Sequence, residues 1–243
     1  MSDETAESLS GSFYTEANGW VRVHVEGDPS SLGFQHGYHL ASELDDTLRR
    51  IRSYVEATCG WSWIRFREVS KKLYDAKVPC EYRQEMEGIA KGANTRLRNR
   101  GIWGRIEYAD ILALNGFFDS MFYYNWTKVL EGERPQGLKG LGHCSAFVAS
   151  GKATVDGRIV LAHNMWLNYD LANWNILLSL HPLKGHKIFM QTMPGSIQGC
   201  GVDWYINSGG LMVTNTTLTG MKTFNQDGVP YFVRARRGIQ HAD

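Results

Sequence analysis

The chain has 243 residues and a mass of 27.5 kDa, with 43% hydrophobic, 12% aromatic and 21% charged side chains. This composition suits one large globular domain or two small ones, and it excludes disorder, collagen and coiled coil. Twenty-six basic against twenty-five acidic side chains leave a formal charge of +1, so no global field is present to hold nucleic acid or an acidic membrane. No apolar run approaches the ~20 residues of a spanning helix. The first residues, with Asp3, Glu4, Glu7 and Glu16, lack the basic and apolar regions of a signal peptide, so the expected location is cytoplasmic.

Asp28-Pro29-Ser30-Ser31 reads as a helix start, followed by an apolar stripe at Leu40, Leu44, Leu48, Ile51 and Val55 and a stop at Cys59-Gly60. Further helices are expected from Trp63 to Tyr74 and from Glu81 to Leu97, with Pro79 as the break between them. Ile106 to Val129 is the longest and most apolar stretch, with so little polar face that it should be buried on several sides. Glu131 to Gly142 then holds four glycines and reads as a flexible connector. Beyond it come short β-type runs, Ser145 to Ala149, Ile159 to Ala162, Ile176 to Leu180, Lys187 to Thr192 and Leu211 to Thr217, separated by turn residues such as Asp156-Gly157 and Gly209-Gly210. Their close spacing favours an antiparallel sheet over βαβ units. Val233 to Asp243 reads as a helix just beginning, with no closing apolar element, so the chain is expected to stop before its domain does.

Cys59, Cys80, Cys144 and Cys200 are too scattered for a CxxC pair and too few for a disulfide scaffold, so reduced thiols are expected. The eight histidines form no HExxH or comparable cluster, and neither a metal nor a cofactor is expected.

The chemistry concentrates around Cys144. It follows the connector and Gly142-His143 and opens the run Cys144-Ser145-Ala146-Phe147-Val148. A lone cysteine at a strand start is more often a small buried hydrophobe. The functional reading makes it a nucleophile that becomes an N-terminus, its own α-amine serving as general base for the thiol. A hairpin turn at Val155-Asp156-Gly157 would return His163 and Asn164, in Ala162-His163-Asn164-Met165-Trp166, alongside Cys144. The polar end of Leu211 to Thr217 would present Asn215 or Thr217 to a developing oxyanion. Single tryptophans serve cores more often than grooves, Trp166 excepted by its place in the motif. Arg234, Arg236 and Arg237 suit a phosphate or carboxylate head group, or a solvated helix face.

Taken together, Gly-His-Cys-Ser-Ala-Phe-Val at 142–148, Ala-His-Asn-x-Trp-x-x-Tyr at 162–169, Pro-Gly-Ser-Ile at 194–197, Asp203-Trp204-Tyr205, Gly-Leu-x-Val-Thr-x-Thr-Thr at 210–217 and the final Arg-x-Arg-Arg run resemble the phospholipase B-like proteins in order and spacing. These are N-terminal-nucleophile (Ntn) hydrolases. Leu32-Gly33-Phe34-Gln35-His36-Gly37, Glu85 to Ala93 and Asp110 to Asn115 are similar to the penicillin acyltransferase relatives. The chain lacks the arginine and aspartate of their Gly-Arg-Asn-x-Asp-Trp stretch, which favours the phospholipase B-like branch.

The resemblance implies an α+β fold, the Ntn αββα sandwich, with residues 1–143 as a helical, propeptide-like N-terminal segment and linker and 144–243 as the strand-rich, nucleophile-bearing part. It implies autocleavage between His143 and Cys144. The catalytic set would be Cys144, His163, Asn164 and Asn215, with Trp166 and Arg234 binding substrate. The expected activity is removal of acyl groups from a lipid through a thioester, the two fragments staying associated after cleavage. The alternatives are an N-acyl amide hydrolase or acyltransferase of the penicillin acyltransferase type, and a non-catalytic lipid-binding scaffold.

Overall fold

The Asp28 helix start is realised as read: its carboxylate accepts from Ser31 N at 2.8 Å and Pro29 opens the helix. A computed structural model describes residues 3–102, 105–133, 144–167, 171, 174–199, 204–216 and 223–242. The first part of the chain holds α1 (Asp3–Ser8), β1 (Phe13–Ala17), β2 (Trp20–Gly27), α2 (Pro29–His39), α3 (Ala41–Cys59), α4 (Trp63–Tyr74), α5 (Cys80–Asn99), α6 (Tyr108–Asn115) and α7 (Phe117–Leu130). The second holds β3 (Ser145–Gly151), β4 (Gly157–Asn164), β5 (Ile176–Pro182), β6 (Ile188–Thr192), β7 (Trp204–Asn207), β8 (Met212–Thr214) and α8 (Tyr231–His241). The class is mixed α+β.

Three predicted outlines are redrawn. The helix expected from Asp28 to Cys59 is two helices meeting at Leu40. The apolar stretch from Ile106 breaks at Gly116, where a Cβ would lie 2.6 Å from the Tyr74 ring. The N-terminal stretch is not purely helical, because β1 and β2 form a hairpin; Val21, Val23 and Val25 bury one face while Trp20, Arg22 and Glu26 remain exposed.

The strands lie in the order β1-β2-β5-β6-β7-β8, with β3 and β4 forming a separate two-stranded sheet. Neighbours in the large sheet are antiparallel except β2 and β5, which run parallel over Val21↔Ile176 to Gly27↔Pro182. One sheet is thus shared by strands from both sides of the 143/144 boundary. Its inner face, with Val23, Val25, Leu178, Leu180, Ile188 and Met190, buries against Leu32 and Leu40 and against Ile239 of α8. The opposite face is open. It shows Phe13, Trp20 and Phe189, each more than a third exposed, with Phe189 packed on Trp204 at 5.4 Å between ring centroids. A second apolar cluster joins α3 to α7, with Leu44, Ile51, Phe66, Met86, Ile111 and Phe117 at its centre.

α2 and α5 meet backbone to backbone. A Cβ on Gly33 would sit 1.9 Å from Glu85 O, one on Gly37 2.0 Å from Ile89 O, and one on Gly92 2.0 Å from Phe34 O. This explains the Gly33/Gly37 and Gly88/Gly92 spacing: glycines four apart share a helix face and let two axes approach.

The turn after β6 is buried throughout, from Thr192 to Gln198, so its polar groups must find partners inside the protein. His36 Nε2 accepts from Gly195 N at 2.9 Å. Asn115 donates to Gly195 O at 3.0 Å and accepts from Ile197 N at 2.9 Å. Arg236 donates to Ile197 O and grips Glu85 with two bonds of 3.0 and 2.8 Å. Burial pushes the Glu85 carboxyl upward, and Arg236 pulls it back.

Two outcomes follow. Gly92→Ala should cost about 3 kcal/mol by forcing the helices apart, while Gly238→Ala, whose Cβ meets nothing within 4 Å, should gain about 0.5–1 kcal/mol of helix propensity; urea denaturation of the two variants checks both. Burial holds His36 neutral, its pKa lowered from the usual 6.5 to about 3, so the folded state resists a proton that the unfolded chain accepts. Its contribution is whole above pH 6.5 and falls as the pH drops toward 3. Unfolding free energy should lose about 2 kcal/mol from this residue between pH 7.5 and 5. In His36→Gln, which accepts from Gly195 without gaining a proton, that share of the slope should vanish.

Candidate active site

The hairpin is formed as the turn residues require. β3 and β4 pair antiparallel with Ser145 opposite Asn164 and Ala146 opposite His163. Cys144 stands one residue before β3, partly exposed, and Asn164 beside it is exposed.

Cys144 opens onto a cavity of about 660 Å³. Its apolar wall comes from α7, through Phe118, Phe122 and Trp126, from Met165 to Leu167 after β4, and from Phe224. Tyr123, Trp126 and Phe224 form a ring cluster with centroids 5.5 to 6.3 Å apart. This is the reason for α7's scarce polar face: one side packs on the helical core and another faces the cavity. The polar wall comes from Asn215 and Thr216 after β8, and from the loop into α8 with Tyr231 and Arg234.

A hydrogen-bonded chain fixes this polar side. Asp119 of α7 accepts from Tyr231 N at 2.7 Å, anchoring the start of α8 where a carboxylate suits the free N–H groups. Burial raises the Asp119 pKa, while the Tyr231 N–H and the charge of Arg234 oppose the rise. The Tyr231 hydroxyl donates to Asn215 Oδ1 at 2.9 Å and stands 2.9 Å from the Tyr205 hydroxyl. With Oδ1 engaged, the Asn215 Nδ2 is a donor. Arg234 donates from Nε to Val229 O at 3.0 Å and is otherwise exposed at the rim.

Four of the predicted site residues therefore share one cavity: Cys144, Trp166, Asn215 and Arg234. Trp166 is 65% exposed and stands at the mouth. His163 and Asn164 are not in the wall. The His163 ring hydrogen-bonds the backbone of Asn215, which ties β4 to the segment after β8. Burial lowers its pKa, and the Asn215 bond partly offsets this; its Nε2 is buried without a partner among the described residues. His143, Thr217 and Cys200 lie outside the described residues. Cys59, Cys80 and Cys144 are free thiols, with Cys59 buried and its thiol pushed up to about 11 by that burial. Sequence reading assigned no role to Asp119 or Tyr231 and named Tyr205 only as part of the Asp203-Trp204-Tyr205 motif, because their roles depend on contacts between distant segments.

No family model matches the chain. It is 28% identical over 239 residues to an uncharacterized protein of Archaeoglobus fulgidus, an alignment covering 93% of this chain and 38% of that protein. The chain thus spans well under half the length of this relative. Among the described residues no helix is long and apolar enough to cross a membrane.

Asp119→Ala should loosen the start of α8 and cost about 1–2 kcal/mol. Thermal unfolding reads the loss, and hydrogen exchange should localise it to the first turn after Pro230.

Proposed function

We propose that the chain carries the nucleophile of a cysteine Ntn hydrolase, resembling the phospholipase B-like proteins, that removes acyl groups from a lipid. The observation carrying this reading is the opening of Cys144 onto an aromatic cavity that also holds the Asn215 amide. Trp126, Trp166 and Phe224 suit an acyl chain, and Arg234 at the rim suits an anionic head group. The αββα sandwich is part of the proposal. The large sheet, with helices on one face and the other face open, matches one half of such a sandwich, and β3–β4 would belong to the other.

Maturation begins with the Cys144 thiol adding to the carbonyl carbon of His143. The C–N bond breaks, the nitrogen takes up a proton as the new α-amine, and the acyl group rides on Sγ as a thioester. Water hydrolyses that thioester, leaving His143 as a carboxylate and the thiol free. In turnover the amine, with an ordinary pKa of about 7.7–8.0, accepts the thiol proton as sulfur attacks the acyl carbon. The Asn215 Nδ2 donates to the oxyanion. The alcohol departs with the proton from the ammonium, and water clears the acyl thioester. His163 acts as a positioning residue, holding β4 and the Asn215 backbone together.

Cleavage would not separate the pieces. The parallel β2–β5 ladder and the Arg236–Glu85 pair both span the cut.

Denaturing mass spectrometry of the active protein should show fragments 1–143 and 144 onward that copurify under native conditions, while Cys144→Ala stays whole. Hydrolysis of a lysophospholipid should fall at least about a thousandfold in Cys144→Ala and about a hundredfold in Asn215→Ala, with exposed Cys80→Ala unchanged. Cleavage of N-acyl amides with lipid esters left intact would assign the penicillin acyltransferase type of reaction. A whole, inactive chain that binds lipid vesicles would leave a scaffold, and a whole chain that turns over substrate would sink the mechanism.

A further inference from the structure

Four side chains stand in a square on the open face of the large sheet, apart from the cavity. The parallel register sets His24 opposite Ser179 and Glu26 opposite His181. Alternation along each strand brings all four to the same face. His24 Nε2 is 3.3 Å from Glu26 Oε2, and His24 Nδ1 is 3.1 Å from Ser179 Oγ. The His24 and His181 rings meet edge to face with centroids 4.5 Å apart, and Phe13 stacks on His24 at 5.3 Å. One ligand atom from each of His24, Glu26 and His181 lies within 4.8 Å of the other two.

We propose that His24, Glu26 and His181 form a zinc site bridging β2 and β5. Zinc bonds to nitrogen and carboxylate oxygen of about 2.0–2.2 Å place neighbouring tetrahedral donors about 3.3 Å apart, the separation His24 and Glu26 already have. Rotation of the exposed Glu26 and of the partly buried His181 about a fixed His24 closes the rest. Two imidazoles and one carboxylate favour zinc over calcium or magnesium, which take oxygen donors. Ser179 supplies the orienting contact: with Nε2 on the metal, His24 carries its proton on Nδ1 and donates it to Ser179 Oγ. Phe13 fixes the plane of that ring. Three protein ligands leave a fourth position open toward the exposed face, for water or a further donor.

The test uses the whole chain, stripped with a chelator and with its thiols capped, titrated with Zn²⁺ against a chromophoric competitor. One zinc per chain should bind, the melting temperature should rise with bound zinc, and Co²⁺ in its place should show tetrahedral visible bands without a thiolate charge-transfer band. His24→Gln and His181→Gln should each weaken binding at least about tenfold, with His186→Gln unchanged. Circular dichroism reports folding of each variant. Exposed Glu26→Gln, also expected to weaken binding about tenfold, keeps the test decisive if a histidine variant fails to fold. Sub-stoichiometric binding at micromolar free zinc, or affinity unchanged in any folded variant of the three ligands, would overturn the site.

Discussion

Arg236 is the largest side chain fully buried among the described residues, and its charge must be answered where it lies. A buried guanidinium without partners would cost several kcal/mol. It is answered from three directions: Glu85 of α5, the carbonyl of Ile197 and, one turn along its own helix, Gln240. α8, α5 and the turn after β6 are therefore located with respect to one another by a single planar group. Exchanging such a pair for apolar residues often leaves stability unchanged, so its importance here is register. Were α8 to slide by one residue, the bonds to Glu85 and to the Ile197 carbonyl would be lost.

That register reaches the cavity. With Arg236 held, Tyr231 falls at the first turn of α8 within reach of Asp119, and its hydroxyl meets Asn215. The glycine contact between α2 and α5 acts on the same arrangement from the other side, since Glu85 lies on α5 against Gly33 and His36 lies on α2 against the buried turn. The polar wall of the cavity is thus set by packing well away from it.

Local chemistry was readable and long-range pairing was not. Trp63–Tyr74 and the Asp28 cap stand where spacing and capping residues put them, because both are decided within one or two turns. The hairpin turn at Asp156-Gly157 pairs β3 with β4 as read, setting Asn164 opposite Ser145 and His163 opposite Ala146. The alternation of Val21, Val23 and Val25 was present in the sequence but short and flanked by helical signals, so β2 was overlooked. The breaks at Leu40 and Gly116 answer to contacts with other helices, which no periodicity within the segment records. Half of the candidate site followed from motifs, in Cys144, Trp166, Asn215 and Arg234. The Asp119–Tyr231–Asn215 chain could not, since its members come from α7, α8 and the end of β8. The same holds for the proposed pairing of His24 with His181, which lie too far apart in the chain to form a motif.

The β2–β5 ladder has a further consequence for how the protein is made. His24 and Ser179 face each other across it although 155 residues separate them. During synthesis β2 leaves the ribosome long before its parallel neighbour exists, and closing so long a loop is slow compared with forming helices. In the interval the strand would offer an unpaired edge to any other chain. α2 follows it directly, and Leu32 packs against its valines, so the nascent hairpin gains a cover for its apolar face while its hydrogen-bonding edge waits. The β1–β2 unit with α2 and α5 is then a template onto which the later strands add one after another, β5 first.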